Sequence, residues 1–125
     1  MRVLIVDDNH DAADALATLL EMLGHETQVC HDGHEALTAN LQYAPDMVLL
    51  DIGLPGMDGY EVARQMLNQG RAVPPFLVAL TGYGQSEDKQ RSMDAGFAHH
   101  LVKPISLVLL EHVLAEALSH HGGAA

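Results

Sequence analysis

Short apolar runs alternate with longer, partly polar segments along the whole chain. Five runs are too short for helices, and the first of them is dominated by β-branched residues, so each predicts a strand. They read RVLIV, ETQVCH, DMVLL, PFLVAL and HHLV. The segments that follow them predict helices. The first of these segments stops at Gly24 and carries its apolar residues at helical spacing, namely Ala12, Leu16, Leu19, Leu20 and Leu23.

The alternation of five strands with five helices predicts an α/β fold. Strands that are apolar on both faces belong to a parallel sheet with helices on both sides, here a three-layer (βα)5 sandwich. Right-handed crossovers bring the carboxyl end of every strand to one edge, and ligands bind outside that edge. Asp32 ahead of Glu35 resembles a capping box, Ser86 is a predicted cap of the fourth helix, and Gly96 is its predicted stop.

Polar side chains stand at or just past the ends of four predicted strands. Asp7 and Asp8 follow the first strand, Asp51 the third, Thr81 the fourth and Lys103 the fifth. Two carboxylates about 4 Å apart repel by roughly 4 kcal/mol at an effective dielectric constant of about 20. A domain of ordinary stability would keep such a cluster only with a cation. A small number of oxygen ligands favours Mg²⁺ over Ca²⁺.

The same set of groups suits nucleophilic phosphoryl transfer. Asp51 would attack phosphorus in line and become an acyl phosphate. The metal ion and Lys103 would neutralise charge on the transferring group, which the Thr81 hydroxyl could also reach. Taken singly, these residues have ordinary explanations as helix caps, a strand-end hydroxyl and a surface lysine. The assignment therefore depends on their occurrence together.

Composition narrows the range of partners and compartments. The chain has 125 residues and a net charge of −11, which predicts one domain and argues against direct binding of nucleic acid or an anionic membrane. We expect the domain to cover residues 1–121 and residues 122–125 to form a disordered tail. The single cysteine, Cys30, and the absence of a signal peptide or membrane-spanning run predict a cytoplasmic location without membrane insertion.

Four stretches of the sequence together resemble the receiver domain of two-component response regulators. They are VLIVDDN, DMVLLDIGLPGMDGYEV, VALTGYG and HHLVKP, which occur in order and cover nearly the whole chain. The similarity is greatest to the receivers of hybrid sensor histidine kinases. It implies a flavodoxin-like fold with sheet order 2-1-3-4-5. It also implies a phosphorelay switch whose only catalysis is its own phosphorylation and dephosphorylation.

The resemblance implies a role for each acid. Asp51 would accept a phosphoryl group from a phosphohistidine on a histidine kinase or a histidine phosphotransfer protein. Asp8 and Asp51 would bind Mg²⁺ directly, and Mn²⁺ could substitute. Asp7 would act directly or through water, and the backbone carbonyl of Gly53 would complete the protein's share of the ligands.

The resemblance also implies the parts of a switch. Thr81 would move toward the phosphate, and Lys103 would pair with it. The Lys103–Pro104 peptide bond is expected to be cis. His100 stands where the family usually has an aromatic switch residue, and its smaller ring can be charged near neutral pH.

Two positions are expected to set the lifetime of the phosphate. Gly53 would leave water partial access to it, whereas Tyr83 would restrict that access. The face formed by the fourth helix, the fifth strand and the last helix would bind an output partner or a second copy of the chain. The last helix is apolar beyond one face, which core packing alone explains about as well.

Three other interpretations compete with the receiver. A small-molecule phosphohydrolase with an aspartyl-phosphate intermediate would need similar groups, but this chain lacks an obvious substrate-covering cap. An interaction module with a vestigial pocket would not be phosphorylated at all. The nine histidines raise the question of zinc. His99-His100 and His120-His121 are adjacent pairs, and adjacent residues on a strand point to opposite faces, which is poor chelating geometry, whereas His31 and His34 are one helical turn apart.

Overall fold

A computed structural model of the chain describes residues 1–82 and 89–122. Within these residues five strands alternate with five helices, so the predicted α/β class is confirmed. None of the described helices combines the length and apolar character needed to cross a bilayer. In chain order the elements are β1 (Arg2–Val6), α1 (His10–Met22), β2 (Glu26–Cys30), α2 (Gly33–Gln42), β3 (Met47–Asp51), α3 (Gly59–Leu67), β4 (Phe76–Thr81), α4 (Lys89–Ala95), β5 (His99–Val102) and α5 (Leu107–Gly122).

The strands form one parallel sheet in the order β2-β1-β3-β4-β5, as the resemblance implies. Alternate side chains of β1 point to opposite faces. Val3 and Ile5 pack in a core with α1 and α5, whereas Leu4 and Val6 pack in a second core with α2, α3 and α4. The central strand β3 is buried at all of its positions, which explains its continuous apolar run. The result is the predicted three-layer flavodoxin-like sandwich.

The helix ends follow local signals in the sequence. The Asp32 carboxylate accepts a hydrogen bond of 2.8 Å from the Glu35 amide, which is the N-terminal half of the predicted capping box. Gly24 and Gly96 follow α1 and α4 with φ of 92° and 94°. This left-handed conformation is costly for other residues, so both act as the predicted helix stops. The predicted cap Ser86 lies outside the described residues.

The register of the sheet aligns the carboxyl ends of its strands. Asp51 at the end of β3 lies opposite Leu80, and Thr81 at the end of β4 lies opposite Val102. The residues that directly follow β1 and β5 therefore come to the same edge as Asp51. We refer to this side as the carboxyl edge and to the opposite side, where β5 begins at His99, as the amino edge.

Candidate functional site

Three carboxylates converge at the carboxyl edge. Asp7 follows β1 directly, Asp8 is the next residue, and Asp51 ends β3. One carboxylate oxygen from each lies within 4.8 Å of the other two. Asp7 and Asp51 are buried, with only 2% and 8% of their surface exposed, whereas Asp8 faces solvent. The structure thus brings together the acids that the strand ends predicted.

Lys103 points into this acid cluster. Its Nζ atom donates to Asp7 Oδ2 at 2.6 Å and to Asp51 Oδ2 at 3.2 Å. Its backbone amide donates to the carbonyl oxygen of Thr81 at 2.8 Å, which ties the end of β5 to the end of β4. The following bond, Lys103–Pro104, is cis, as the resemblance implies. Lys103 therefore links Asp7 and Asp51 through its side chain and joins the end of β5 to the end of β4 through its backbone.

Local turns orient the two buried carboxylates. Asp7 Oδ1 accepts from the Asn9 amide at 3.0 Å, and Asp51 Oδ1 accepts from the Gly53 amide at 2.8 Å. Each bond reaches the amide two residues further on, which is the turn that aspartate side chains commonly close. Both acids consequently hold Oδ1 toward the backbone and leave Oδ2 to Lys103.

The charges at the site do not balance within the protein. Burial raises the pKa of the Asp51 carboxyl, and the Gly53 amide and the Lys103 charge offset this only in part. Burial lowers the pKa of Lys103, but its bond to Asp7 and the charge of Asp51 outweigh that effect, so the pKa is raised overall. Three carboxylates and one ammonium leave a formal charge of −2. An oxygen-only donor set with this charge fits a hard divalent cation such as Mg²⁺.

The remaining predicted residues that the structure describes lie on β4 and β5. Thr81 is buried, with 1% of its surface exposed, and it follows the residue that pairs with Asp51. His100 is exposed within β5, opposite Ala79, three residues before Lys103. Tyr83 lies outside the described residues.

The structure adds residues that the sequence argument did not assign to the site. His31 Nδ1 lies 3.0 Å from the carbonyl oxygen of Asp7, so this nitrogen donates to it, and the His31 ring stacks on His10 with centroids 3.6 Å apart. A Cβ atom on Gly59 would lie 2.5 Å from Ile52 Cα, so the start of α3 packs against the backbone that follows Asp51 as only glycine allows. The stretch GMDGYEV contains this glycine, but no sequence pattern indicates that its backbone packs so closely against Ile52.

An apolar cavity adjoins the acid cluster. It has a volume of about 300 Å³ and lies between α1 and the segment after β5. Asp7 and Lys103 form its polar side, and the rest is lined mainly by Leu16, Leu19 and Ile105. The carboxyl edge thus offers an apolar surface directly beside its charged groups.

The fold and the acid cluster define an α/β protein with a candidate cation and phosphoryl site at its sheet edge. The sequence model of the response regulator receiver domain matches residues 3–115. The sensor histidine kinase RcsC of Salmonella typhimurium is 35% identical over 115 residues, which are 92% of this chain and 12% of RcsC. The two-component response regulator PhoP of Pseudomonas aeruginosa is 33% identical over 123 residues, 98% of this chain and 54% of PhoP. The signal receiver domain of a modulated diguanylate cyclase from Desulfovibrio desulfuricans G20 superposes with a TM-score of 0.83 at 27% identity, covering 99% of this chain and 98% of that one.

The chain belongs to the response regulator receiver domain family. It is a signalling domain of the two-component type, and the comparisons do not favour the phosphohydrolase interpretation. The similarity extends to a sensor histidine kinase as well as to response regulators. The chain spans only 12% of RcsC and 54% of PhoP, so it corresponds to one part of these longer relatives.

Proposed function

We propose that Asp51 accepts a phosphoryl group with the help of Mg²⁺ and that phosphorylation changes the partner-binding face of the domain. The observation that carries this proposal is the convergence of Asp7, Asp8 and Asp51 within 4.8 Å, with Lys103 bonded inside the cluster. Such a site places a nucleophile, a metal-binding set and a fixed cation together.

In the proposed reaction one carboxylate oxygen of Asp51 forms a bond to phosphorus. The P–N bond of the donor phosphohistidine breaks, and its electron pair stays on the donor imidazole. Lys103 has a 2.6 Å bond to Asp7 and a longer one of 3.2 Å to Asp51. The longer bond can be exchanged for a phosphoryl oxygen while the shorter one keeps the ammonium in place. The Thr81 hydroxyl is the proposed second donor to the phosphoryl group.

The proposed Mg²⁺ ligands are the carboxylates of Asp8 and Asp51 and the backbone carbonyl of Gly53, with Asp7 acting directly or through water. When bound, the ion supplies positive charge to the phosphoryl oxygens. Mn²⁺ accepts the same oxygen ligands and is expected to substitute. The formal charge of −2 that the side chains leave supports a divalent ion here.

The apolar cavity beside the cluster supports a docking mode for the phosphodonor. A histidine kinase or histidine phosphotransfer protein would cover Leu16, Leu19 and Ile105 while its phosphohistidine enters at Asp7 and Lys103. Apolar contact at this position would exclude water from the transfer. The cytoplasm is the proposed compartment, in keeping with a buried free thiol.

The proposed output face comprises α4, β5 and α5. Val102, Val108 and Leu109 on this face are at least half exposed, which is unusual for large apolar residues and supports contact with an output partner or a second copy. Movement of Thr81 toward the phosphate, accompanied by His100, would shift the population between two arrangements of this face. Gly53 and Tyr83 are the proposed modulators of phosphate lifetime. The receiver is assigned to residues 1–121, with 122–125 as a tail.

Intact-mass measurement after incubation with acetyl phosphate and Mg²⁺ tests the proposal. The wild-type chain should gain one phosphoryl group, which should be absent in Asp51→Asn and in the presence of a chelator. Asp14→Asn on the exposed face of α1 is the matched control and should be phosphorylated normally. Full phosphorylation of Asp51→Asn would refute the assignment.

A second measurement separates the receiver from the phosphohydrolase. A phosphohydrolase turns over a generic phosphomonoester many times, whereas the proposed receiver transfers only from high-energy donors and only to itself. Sustained, Mg²⁺-dependent hydrolysis of p-nitrophenyl phosphate that disappears in Asp51→Asn would favour the enzyme. A chain that no acyl phosphate or phosphoramidate labels would instead be an interaction module.

A further inference from the structure

The backbone of Asp7 is bonded on both sides to the end of β2. Its amide donates to the carbonyl oxygen of Cys30 at 3.1 Å, one residue past the last pair of the β1–β2 ladder, Val6 and Cys30. Its carbonyl oxygen lies 3.0 Å from Nδ1 of His31, the residue that follows β2. A carbonyl oxygen only accepts, so Nδ1 carries the proton of this bond. The side chain of His31 thus adds a further bond between the ends of these two strands.

A second imidazole supports the ring of His31. His10 begins α1, and its ring stacks on that of His31 with centroids 3.6 Å apart and planes inclined by 13°. His10 is exposed, whereas His31 is half-buried. Rings in such close contact limit one another's rotation, so the stack favours the orientation in which Nδ1 faces the Asp7 carbonyl. The stack also links the start of α1 to the end of β2, next to the turn that carries Asp7 and Asp8.

We propose that His31 is a positioning residue for the Mg²⁺ site, a role that rests on the proposed function. The Asp7 carbonyl belongs to the planar peptide unit that joins Asp7 to Asp8. The orientation of this unit determines ψ of Asp7 and φ of Asp8, and with them the directions of both carboxylates. Because Asp8 faces solvent, packing constrains its side chain little, and the backbone sets where its carboxylate can reach. His31 therefore acts on two acids of the cluster without touching the ion.

The affinity for Mg²⁺ should be sensitive to this bond. Mg²⁺ demands near-octahedral geometry, so a small error in the placement of a ligand weakens binding. Groups that hold metal ligands from outside the coordination sphere typically change metal affinity by about 10–100-fold when they are removed. His31 acts through a backbone carbonyl and not on a ligand atom, so we expect the lower end of this range. Asp51 and Lys103 stand at the ends of β3 and β5, so the transfer step at saturating Mg²⁺ should change little.

Replacements of His31 separate its hydrogen-bond donor from its ring. The side-chain nitrogen of asparagine stands at the same distance along the side chain as Nδ1 of histidine, so His31→Asn can keep the bond to Asp7 without the stack. Phenylalanine keeps a ring for His10 to stack on but has no donor. The matched control is His34→Ala, which removes an exposed histidine on the neighbouring helix α2.

Titration of the isotopically labelled chain with MgCl₂, followed by amide NMR spectra, measures the dissociation constant for the ion. We expect His31→Ala and His31→Phe to bind about tenfold more weakly than wild type, His31→Asn within about threefold and His34→Ala within about twofold. Phosphorylation by acetyl phosphate provides a second readout. The Mg²⁺ concentration that gives half the maximal rate should rise by the same factor in His31→Ala, whereas the maximal rate should stay near that of wild type.

The inference is overturned if His31→Ala binds Mg²⁺ within about twofold of wild type, or if His31→Asn loses as much affinity as His31→Ala. A His31→Ala chain that is less stable in urea without metal, yet binds Mg²⁺ normally, would show a structural role only. A wild-type chain without a saturable response to Mg²⁺ would instead refute the proposed metal site, and the inference with it. The two failures are distinguishable, because only the first leaves wild type binding the ion.

Discussion

Replacing Asp51 with asparagine should stabilise the metal-free domain, although it removes an ion pair. The burial that raises the pKa of Asp51 also means that its charged form is disfavoured in the folded state. The neutral side chain avoids this penalty and the repulsion from Asp7. Lys103 loses its 3.2 Å partner but keeps its 2.6 Å bond to Asp7. The sign of the change in unfolding free energy therefore depends on which is larger, the lost attraction to Lys103 or the removed costs of burial and repulsion.

The opposing contributions are of similar size. At an effective dielectric constant of about 20, attraction to Lys103 at 3.2 Å is worth about 5 kcal/mol, and repulsion from Asp7 at up to 4.8 Å costs about 3.5 kcal/mol. Desolvation of a buried carboxylate adds a cost of several kcal/mol. The raised pKa of Asp51 indicates that the costs prevail, so we expect a gain in unfolding free energy of about 1 kcal/mol, which is the usual size of a single stabilising substitution. In a domain of this size that is about 3–5 °C in melting temperature.

The stabilisation should depend on pH with a defined sign. The pKa of Asp51 is higher in the folded than in the unfolded chain, so the folded state is penalised as pH rises through that folded value. Below about pH 4 both states hold the proton, and wild type and Asp51→Asn should differ least. The difference should then widen toward neutral pH.

Urea denaturation in the presence of a chelator measures this difference directly. Wild type and Asp51→Asn are compared at acidic and neutral pH, with Asp14→Asn as a control that changes the same charge at an exposed position on α1. Adding Mg²⁺ should stabilise wild type more than Asp51→Asn, because the variant has lost one proposed ligand. An Asp51→Asn chain that is less stable than wild type at neutral pH without metal would refute the reasoning.

Three further predictions concern single groups. Gly59→Ala should cost about 1–3 kcal/mol in urea denaturation, because its Cβ would meet Ile52 Cα at 2.5 Å; unchanged stability would contradict the close packing. Burial and the nearby Glu26 carboxylate raise the pKa of Tyr43 to about 12, so Glu26→Gln should lower the midpoint of its ultraviolet titration. Burial, reinforced by Glu35, raises the pKa of Cys30 to about 11, so its alkylation near neutral pH should be much slower than in the urea-unfolded chain.

The positions of most site residues could be predicted because β1, β3 and β4 are short and almost entirely apolar, so the polar residues at their ends stand out. Once the runs ending at Asp7 and Asp51 are recognised as parallel strands, right-handed crossovers bring their ends to one edge. The order of the strands in the sheet cannot be derived from the pattern of apolar runs. Five similar apolar runs fit several orders equally well, and only the family resemblance selected 2-1-3-4-5.

Contacts between distant elements could not be predicted from the pattern. Spacing along the chain relates only histidines that are close in sequence, such as His99-His100, and adjacent residues on a strand point to opposite faces. The fold instead places His99 beside Glu116, which comes from the next element and faces the same layer. The stacking of His10 on His31 likewise requires that α1 and the end of β2 be adjacent in space. These contacts depend on the directions in which side chains of different elements point, and the spacing of residues along the chain does not predict those directions.

Lys103 connects the chemistry of the site to the proposed output face. Its ammonium holds Asp7 and Asp51, and its amide holds the carbonyl of Thr81. A phosphoryl group on Asp51 would replace the weaker of the two ammonium bonds and draw the Thr81 hydroxyl, so both changes act on the point where β4 and β5 end. Since β5 is an edge strand paired only with β4 in the described sheet, it is the strand best able to respond. The exposed side of β5 carries His100 and belongs to the proposed output face, so a path from the proposed acceptor Asp51 to that face need not pass through the buried cores.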